Sequence, residues 1–220
     1  MSAALVFDFD GLIVDTETPE YLAWREVFAV HGAELTERDW SGAVGYVGNL
    51  DPRRLFEERT GIEPDWAIID SARSARHLAL VAAQPALPGV ERLMRAGRAA
   101  GWRIGIASNS TPEWVRAGLE RVGLGGYVEV IRGRGTVSRL KPDPDLYLAV
   151  LADLGADAAR SYAFEDSEPG VLAARAAGLR VIAVPHALTS HQNHARADRI
   201  LSSLEAFQLP VPTPAPEGVA

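Results

Sequence analysis

The stretch that decides the fold class reads Ala3-Ala4-Leu5-Val6-Phe7, followed by Asp8-Phe9-Asp10-Gly11. The apolar run predicts a short buried strand that delivers Asp8 and Asp10 to its carboxyl end, where open α/β sheets place their ligands. Because side chains two residues apart share one face of an extended segment, the two carboxylates point the same way. Gly11 allows the backbone to turn sharply and to approach a ligand closely. Two adjacent carboxylates are unfavourable unless a cation or a shared proton relieves them, so the pair indicates a ligand site.

The second half of the chain carries the pattern of a parallel sheet covered by helices. From Gly89 onward, strand and helix signals alternate, which is typical of an α/β fold. Strands are predicted over 102–107, 127–131, 161–164 and 180–184, and helices over 90–100, 145–154, 171–177 and from Pro112 onward. We therefore predict an α/β protein with a Rossmann-like core built on a parallel sheet.

Polar side chains follow three of the predicted strands at the point where each strand ends. They are Asp8 and Asp10, Ser108 and Asn109, and Glu165 and Asp166, and Lys141 adds a cation just before a predicted helix. The carboxyl ends of parallel strands lie on one edge of a sheet, so we expect these four distant segments to meet at one site.

Residues 16–84 interrupt the alternation and are predicted to be helical. Their first helix carries an amphipathic stripe of Tyr21, Trp24, Val27, Phe28 and Val30. The sequence Gln-Pro-Ala-Leu-Pro-Gly at 84–89 is typical of a hinge. We predict a core of residues 1–15 and 85–209, an inserted all-helical cap of residues 16–84, and a flexible proline-rich tail at 210–220.

The composition excludes several classes of protein. A net charge of -7, from 22 basic and 29 acidic residues, argues against a nucleic-acid surface. The absence of cysteine excludes disulfides, thiolate metal sites and cysteine nucleophiles. No apolar run is long enough to span a membrane, and no charged segment of a signal peptide begins the chain. We expect a cytoplasmic monomer that binds a small molecule.

The side chains expected at the site favour phosphoryl chemistry. Several carboxylates offer hard oxygen ligands, which suit Mg²⁺ better than zinc or copper. Mg²⁺ beside a lysine and a loop of backbone amides suits a phosphate group. One aspartate can attack phosphorus to form an aspartyl-phosphate, while a second carboxylate protonates the leaving oxygen and later takes a proton from water. Acyl transfer fits less well, because neither a histidine nor a nucleophile elbow accompanies the serine.

Four motifs in order resemble those of the haloacid dehalogenase (HAD) superfamily. The run from Asp8 to Glu17 resembles the first motif, Ser108-Asn109 the second, Lys141-Pro142-Asp143-Pro144 the third and Phe164-Glu165-Asp166-Ser167 the fourth. A helical insertion straight after the first motif resembles the branch of β-phosphoglucomutase and phosphoglycolate phosphatase. Four motifs in order are far more specific than any single one.

The resemblance implies roles for the acidic residues. Asp8 would be the nucleophile and a Mg²⁺ ligand. Asp10 would be the general acid and base, and would also bind the metal through its backbone carbonyl. Asp166 would be a metal ligand, and Glu165 either a ligand or a partner of one.

The same resemblance implies how the phosphate is held. Ser108 and the amides around Phe9 and Gly11 would bind the phosphoryl oxygens, with Asn109 beside them, and Lys141 would offset the charge that develops there. The implied activity is Mg²⁺-dependent hydrolysis of a small phosphate monoester, such as a sugar phosphate, under a cap that selects the substrate.

Three alternatives to this activity are weighed. Dehalogenation is disfavoured by Asp10, because a departing halide needs no proton. A phosphomutase shares the four motifs, but its relatives carry a histidine where this chain has Glu20. A non-catalytic relic that binds a metabolite need not keep all of the motif residues.

Several charged residues outside the motifs remain open. Glu17 and Glu20 are candidate binders of substrate hydroxyls, or serve the dipole of a helix start. The basic stretch 132–141 either attracts an anionic substrate or is a solvated loop. Arg53 and Arg54 either clamp a second phosphate or carboxylate, or lie on a helix surface. His186, His191 and His194 fit no common metal spacing.

Overall fold

A computed structural model describes residues 2–42, 44, 45 and 50–210 of the chain. All of the predicted tail except Pro210 therefore lies outside the described residues. The strands are β1 (Ala4–Phe7), β2 (Arg103–Ala107), β3 (Val130–Arg132), β4 (Tyr162–Glu165), β5 (Arg180–Ala183) and β6 (Arg199–Ile200). They form one parallel sheet in the order β3-β2-β1-β4-β5-β6. The predicted α/β class with a parallel Rossmann-like sheet is confirmed.

Eight α-helices lie within the described residues. Five fall between β1 and β2, and the first four of these belong to the predicted insertion: α1 (Glu17–Val30), α2 (Glu37–Ser41), α3 (Pro52–Thr60) and α4 (Trp66–Ala82). The others are α5 (Val90–Ala99), α6 (Pro112–Arg121), α7 (Asp145–Leu154) and α8 (Glu168–Ala176). None of these described helices has the length and apolar character needed to cross a membrane. The insertion is thus all-helical as predicted, while its boundaries at residues 15 and 85 stay a prediction.

The central strand β1 is buried on both faces of the sheet. Leu5 and Phe7 pack on one face with α5 and α6, and Ala4 and Val6 pack on the other with α7 and α8. The chain runs outward from β1 to β2 and β3, then crosses over to β4 and runs outward on the other side to β5 and β6, so the direction of the connections changes between β1 and β4. The point where connections diverge is the place at which open α/β sheets form a ligand crevice.

The insertion has an apolar cluster of its own. Tyr21, Trp24 and Phe28 of α1 pack there with Phe56 of α3, and rings of Phe28 and Phe56 meet edge to face at 5.4 Å. The predicted stripe is wrong at its end, because Val30 is 82% exposed. Val30 is the last residue of α1, where the chain turns away from the cluster.

Two further predictions of secondary structure need correction, and one strand was missed. Tyr127 closes a short 3-10 helix, and strand β3 begins only at Val130. Helix α8 begins three residues before the predicted start, because the Ser167 side chain caps it by accepting from the Gly170 amide. The two-residue strand β6 was not predicted at all, and it is exposed at the sheet edge.

Candidate active site

The strand ends meet at a cavity of about 660 Å³ between the sheet edge and the helical insertion. Eight of the residues predicted for the site line it: Asp8, Asp10, Glu17, Glu20, Ser108, Asn109, Lys141 and Asp166. Two others are buried behind its wall, since Phe9 packs in the core and Glu165 is fully enclosed. The structure therefore brings the four predicted segments together.

A buried ion-pair cluster lies at the base of the cavity. The Lys141 Nζ donates to Asp8 Oδ1 and to Glu165 Oε1, each at 2.6 Å. Burial raises the pKa of the Asp8 carboxyl well above its usual range, while Lys141 opposes that rise. Burial works to lower the pKa of Lys141, but Asp8 and Glu165 outweigh burial and raise it. Lys141 is thus a permanent cation placed against the carboxylate of Asp8.

Glu165, which is fully buried behind the cavity wall, holds Lys141 in place by accepting its hydrogen bond. Its Oε1 also accepts a short hydrogen bond from the Tyr147 hydroxyl, and its Oε2 lies 3.4 Å from the donor Ser167 Oγ. Gly170 of α8 provides the room, because a Cβ at that position would stand 2.0 Å from the Glu165 carboxyl. Both oxygens of Glu165 therefore have partners within the protein.

Asp10 is surrounded by neutral donors rather than by a cation. Its Oδ1 accepts from Thr16 Oγ1 and from the Trp114 indole Nε1, both at 2.9 Å. Its Oδ2 accepts from Ser108 Oγ at 3.1 Å. The Trp114 ring in turn packs on His77 of α4, with centroids 5.8 Å apart. A core helix and a helix of the insertion thus meet at the side chain of Asp10.

The loop after β2 supports the site in two ways. The Asn109 side chain bonds the main chain of Lys141, accepting from its amide at 2.9 Å and donating to its carbonyl at 3.4 Å. Asn109 was predicted to bind phosphate, and the structure engages it in holding the lysine. Ser108 is fully buried and accepts from the Ser110 amide at 2.9 Å.

The amides of the first motif are not equally available. The Gly11 amide donates to the Val14 carbonyl at 2.8 Å, within the tight turn that the positive φ of Gly11 permits. The amides of Phe9 and Asp10 donate to none of the residues that the structure describes. Phe9 and Asp10 are therefore the positions at which a phosphoryl oxygen could be bound by the main chain.

Three carboxylates are arranged so that a divalent cation could bind. Oxygen atoms of Asp8, Glu165 and Asp166, all buried, lie within 4.8 Å of one another. This set fits a hard cation such as Mg²⁺, which prefers carboxylate oxygens. The side chain of Asp10 is not part of the cluster.

One histidine adjoins this cluster. His186 Nε2 lies 3.1 Å from Asp166 Oδ2, while its Nδ1 accepts from the Leu188 amide. With Nδ1 an acceptor, the proton is on Nε2, so His186 donates to Asp166. Burial works to lower the pKa of His186, yet the contact with Asp166 raises it. His194 instead bonds the Thr189 carbonyl.

The two predicted glutamates of α1 have different surroundings. Glu20 is fully engaged, because its Oε1 accepts from Arg73 at 2.7 Å and from Trp24 at 3.1 Å, and its Oε2 lies 2.9 Å from His77 Nδ1. Burial works to raise the pKa of Glu20, but these partners lower it. Glu17 has no such partner among the described residues, and burial raises the pKa of its carboxyl well above the usual range.

Sequence reasoning missed several side chains of the site. Thr16, Trp114 and Tyr147 contact the predicted residues directly, and none was assigned a role. Thr16 lies within the run from Asp8 to Glu17 that resembles the first motif, and this position is the one available signal. Trp114 and Tyr147 reach the site only through the packing of α6 and α7, which no sequence pattern encodes.

The family of the chain follows from a comparison with known sequences. The sequence model of the haloacid dehalogenase-like hydrolases matches residues 3–178. The chain belongs to this family. The predicted HAD resemblance is therefore confirmed, and so is the predicted enzyme class, a phosphatase among the HAD hydrolases.

Relatives of similar length support the assignment. YhcW of Bacillus subtilis (strain 168) is 36% identical over 209 residues, which cover 95% of each chain. YhcW is provisionally named a phosphatase. Hexitol phosphatase B of Escherichia coli (strain K12) is 30% identical and covers 91% of this chain and 92% of its own. The crystal structure of CbbY from Rhodobacter sphaeroides in complex with phosphate superposes with a TM-score of 0.76 at 30% identity, covering 94% of this chain and 96% of CbbY.

Proposed function

We propose that this HAD hydrolase is a Mg²⁺-dependent phosphatase that hydrolyses a small phosphate monoester through an aspartyl-phosphate on Asp8. The observation that supports this most is the placement of Asp8 and Asp10 at one cavity with contrasting partners. Asp8 is paired with the buried cation Lys141, and Asp10 with neutral donors. A charged nucleophile beside a proton carrier is the arrangement that two-step phosphoryl transfer requires.

In the first step, an oxygen of Asp8 attacks phosphorus and the bond to the leaving oxygen breaks. Lys141 favours the ionised form of Asp8 against the effect of burial and stabilises the charge on the phosphoryl oxygens. The amides of Phe9 and Asp10, together with Ser108, hold those oxygens. Asp10 gives its proton to the leaving oxygen, so that an alcohol departs rather than an alkoxide.

In the second step, water attacks the phosphorus of the aspartyl-phosphate. Asp10, now ionised, takes a proton from that water. The bond between phosphorus and the Asp8 oxygen breaks, which releases inorganic phosphate and restores Asp8. Thr16 and Trp114 keep Asp10 in the same position for both steps.

Asp8, Glu165 and Asp166 supply carboxylates for the metal, and Asp10 adds its main-chain carbonyl. Bound Mg²⁺ would neutralise charge on the phosphate and on the Asp8 carboxylate. His186 orients Asp166 by its hydrogen bond, as partners of metal-binding carboxylates commonly do.

The helical insertion would act as the cap that selects the substrate. Glu17, which has a free carboxyl in the cavity, is suited to bind a substrate hydroxyl, whereas Glu20 is held by Arg73 and His77 and shapes the wall. We propose a sugar phosphate or a similar metabolite as the substrate and a cytoplasmic monomer as the working form. Hexitol phosphatase B and a fructose-1-phosphate phosphatase are among the named relatives.

A phosphomutase is the second candidate. The crystal structure of a protein from Thermotoga maritima that is provisionally named a β-phosphoglucomutase superposes with a TM-score of 0.76 at 26% identity. Glu20 occupies the position where mutases of this branch carry a histidine, and its engaged carboxylate favours hydrolysis.

The test is phosphate release from a panel of small phosphate monoesters, measured with Mg²⁺ and with EDTA. The proposal expects release from one or a few sugar phosphates in Mg²⁺ only, and no turnover by Asp8→Asn, whose fold is checked by circular dichroism. Asp198→Asn, in an exposed ion pair with Arg175, is the matched control and should stay active. Conversion of one sugar phosphate into another without release would instead identify a mutase, and release by Asp8→Asn would refute the mechanism.

A further inference from the structure

The charges around the cavity are nearly all balanced within the protein. Three cationic side chains that line it each face a carboxylate, Lys141 with Asp8, Arg73 with Glu20 and Arg53 with Asp70, and His77 also contacts Glu20. Arg134 also lines the cavity, and it has no acidic partner among the residues that the structure describes. The positive charge of Arg134 is therefore available to an anionic ligand that enters the cavity.

Arg134 is anchored to the loop that follows β2. Its amide donates to the Ser110 carbonyl at 2.8 Å, and its Nε donates to the Asn109 carbonyl at 3.1 Å. Gly133 makes this close approach feasible, because a Cβ there would stand 2.3 Å from the Ser110 oxygen. The guanidinium is thus fixed beside the loop of Ser108, although the side chain is exposed.

The neighbouring arginines of the basic stretch are used differently. Arg132 pairs with Asp153 at 2.6 Å, and Arg139 pairs with Asp143 and Asp145 at 3.1 and 2.8 Å. These two form ion pairs on the protein surface and do not line the cavity. Of the three arginines in the stretch, only Arg134 lines the cavity, to which the stretch also contributes Lys141.

With Nε engaged, the two terminal nitrogens of Arg134 donate to none of the described residues, so their N–H groups can serve a ligand. A guanidinium in this state presents a planar fork that matches two oxygens of a carboxylate or phosphate. The phosphoryl group at Asp8 already has Lys141 and the amides of the first motif. An oxyanion bound at Arg134 would therefore be a second anionic group of the substrate, in addition to the phosphoryl group at Asp8.

We infer that Arg134 binds a second oxyanion of the substrate, so that the preferred substrate is a phosphate monoester carrying an additional carboxylate or phosphate. This inference rests on the proposed phosphatase activity and names the substrate class of the same site. Arg134 acts here as a specificity residue and takes no part in breaking the bond to phosphorus.

Matched substrate pairs test the inference and distinguish the two oxyanions. Phosphoglycolate against hydroxyethyl phosphate isolates a carboxylate, and a hexose bisphosphate against the hexose monophosphate isolates a phosphate. The protein with Mg²⁺ should show a kcat/KM at least about tenfold higher for the doubly anionic member of one pair, as expected for a charged hydrogen bond.

Arg134→Gln should remove that preference through a rise in KM and leave the singly anionic members within about twofold. Arg139→Gln, in the same loop but paired outside the cavity, is the control and should change neither member. Equal losses on both members, no preference in the unaltered protein, or the same loss in Arg139→Gln would overturn the inference. Absence of release from every member would instead count against the proposed phosphatase.

Discussion

At the scale of single residues, the two aspartates of the first motif differ in what stabilises them. Asp8 lies against a buried ammonium group, which favours its charged form. Asp10 receives three hydrogen bonds from neutral donors, Thr16, Trp114 and Ser108, which fix its position without placing a cation against it. Two carboxylates two residues apart can thus take different roles because their surroundings differ.

The proton-carrying role of Asp10 predicts a selective loss in Asp10→Asn. An asparagine keeps the shape but cannot protonate the leaving oxygen, so a poor leaving group should suffer most. We expect kcat to fall at least about a hundredfold on an alkyl phosphate and much less on a nitrophenyl phosphate. Steady-state rates on both esters measure this. An equal loss on the two esters would reject the role of Asp10 as general acid to the leaving oxygen.

The indole of Trp114 predicts a smaller effect of the same kind. Trp114→Phe removes the N–H that donates to Asp10 and retains a ring for the contact with His77. Loss of a hydrogen bond at the low end of the range for charged groups, about 1.5 kcal/mol, should lower kcat on alkyl phosphates about tenfold with little change in KM. The control is Trp102→Phe, because the buried Trp102 Nε1 has no hydrogen-bond partner in the part of the chain that the structure describes. Equal effects of the two substitutions would assign the loss to packing.

The residues of the site were predictable to the extent that strand ends dictate them. Asp8, Ser108 and Asp166 follow strands of one parallel sheet, so the fold itself brings them together. Trp114 and Tyr147 were not predictable, since each projects from a helix whose rotation and tilt depend on packing. The engagement of Glu20 by Arg73 likewise joins two helices far apart in sequence.

At the scale of elements, helices α2 and α3 are joined by one carboxylate. Asp39 accepts from the amide and the hydroxyl of Thr36, which completes the capping box of α2. Arg59 at the end of α3 donates two hydrogen bonds to the same carboxylate, at 2.7 and 2.9 Å. The bond from Arg59 is the main reason that the pKa of Asp39 is held far below its usual range.

This depressed pKa predicts how Asp39→Asn depends on pH. A carboxyl with a lowered folded-state pKa stabilises the protein above its unfolded pKa of about 3.9, and the contribution is lost as pH falls toward the folded value. The substitution should lower the free energy of unfolding by about 1–2 kcal/mol at pH 7, and by less below pH of about 4. Urea titrations at both pH values measure the difference.

A surface pair supplies the control for that experiment. Glu26 pairs with Arg76, and both side chains are about half exposed. Glu26→Gln should change the free energy of unfolding by less than about 1 kcal/mol at either pH. A loss in Asp39→Asn that did not shrink in acid would attribute the effect to shape rather than to charge.

The limits of elements whose ends carry a strong sequence signal were predicted well. The limits of elements without such a signal were not. Helix α7 ends at Leu154 as expected, because Gly155 adopts the left-handed conformation that closes it. Strands β3 and β6 are short and lie at the two edges of the sheet, where pairing with a neighbour and not the local pattern fixes their limits. Their positions follow from the assembled sheet.

At the scale of the whole molecule, the sheet edge concentrates negative charge. Asp8, Glu165 and Asp166 are buried, and their carboxylate oxygens lie within 4.8 Å of one another. Among the described residues, Lys141 pairs with Asp8 and Glu165, and His186 contacts Asp166. Like charges in a buried cluster oppose folding unless a cation compensates them. The free energy of unfolding should therefore depend on the divalent metal.

Magnesium is expected to raise the Tm of the protein because it binds the folded state alone. At about a hundred times its Kd, a ligand adds about 2.7 kcal/mol, which corresponds to about 5–10 °C for a chain of this size. Asp166→Asn should raise the Tm in EDTA, since it removes one like charge, and should abolish most of the rise with Mg²⁺. Calorimetric scans with MgCl2 against NaCl of equal ionic strength measure both effects, and Asp198→Asn serves as the charge-matched control. Two outcomes would show that the carboxylate cluster is not the metal site. One is a rise in Tm with NaCl equal to that with MgCl2, and the other is a rise with Mg²⁺ in Asp166→Asn equal to that in the unaltered protein.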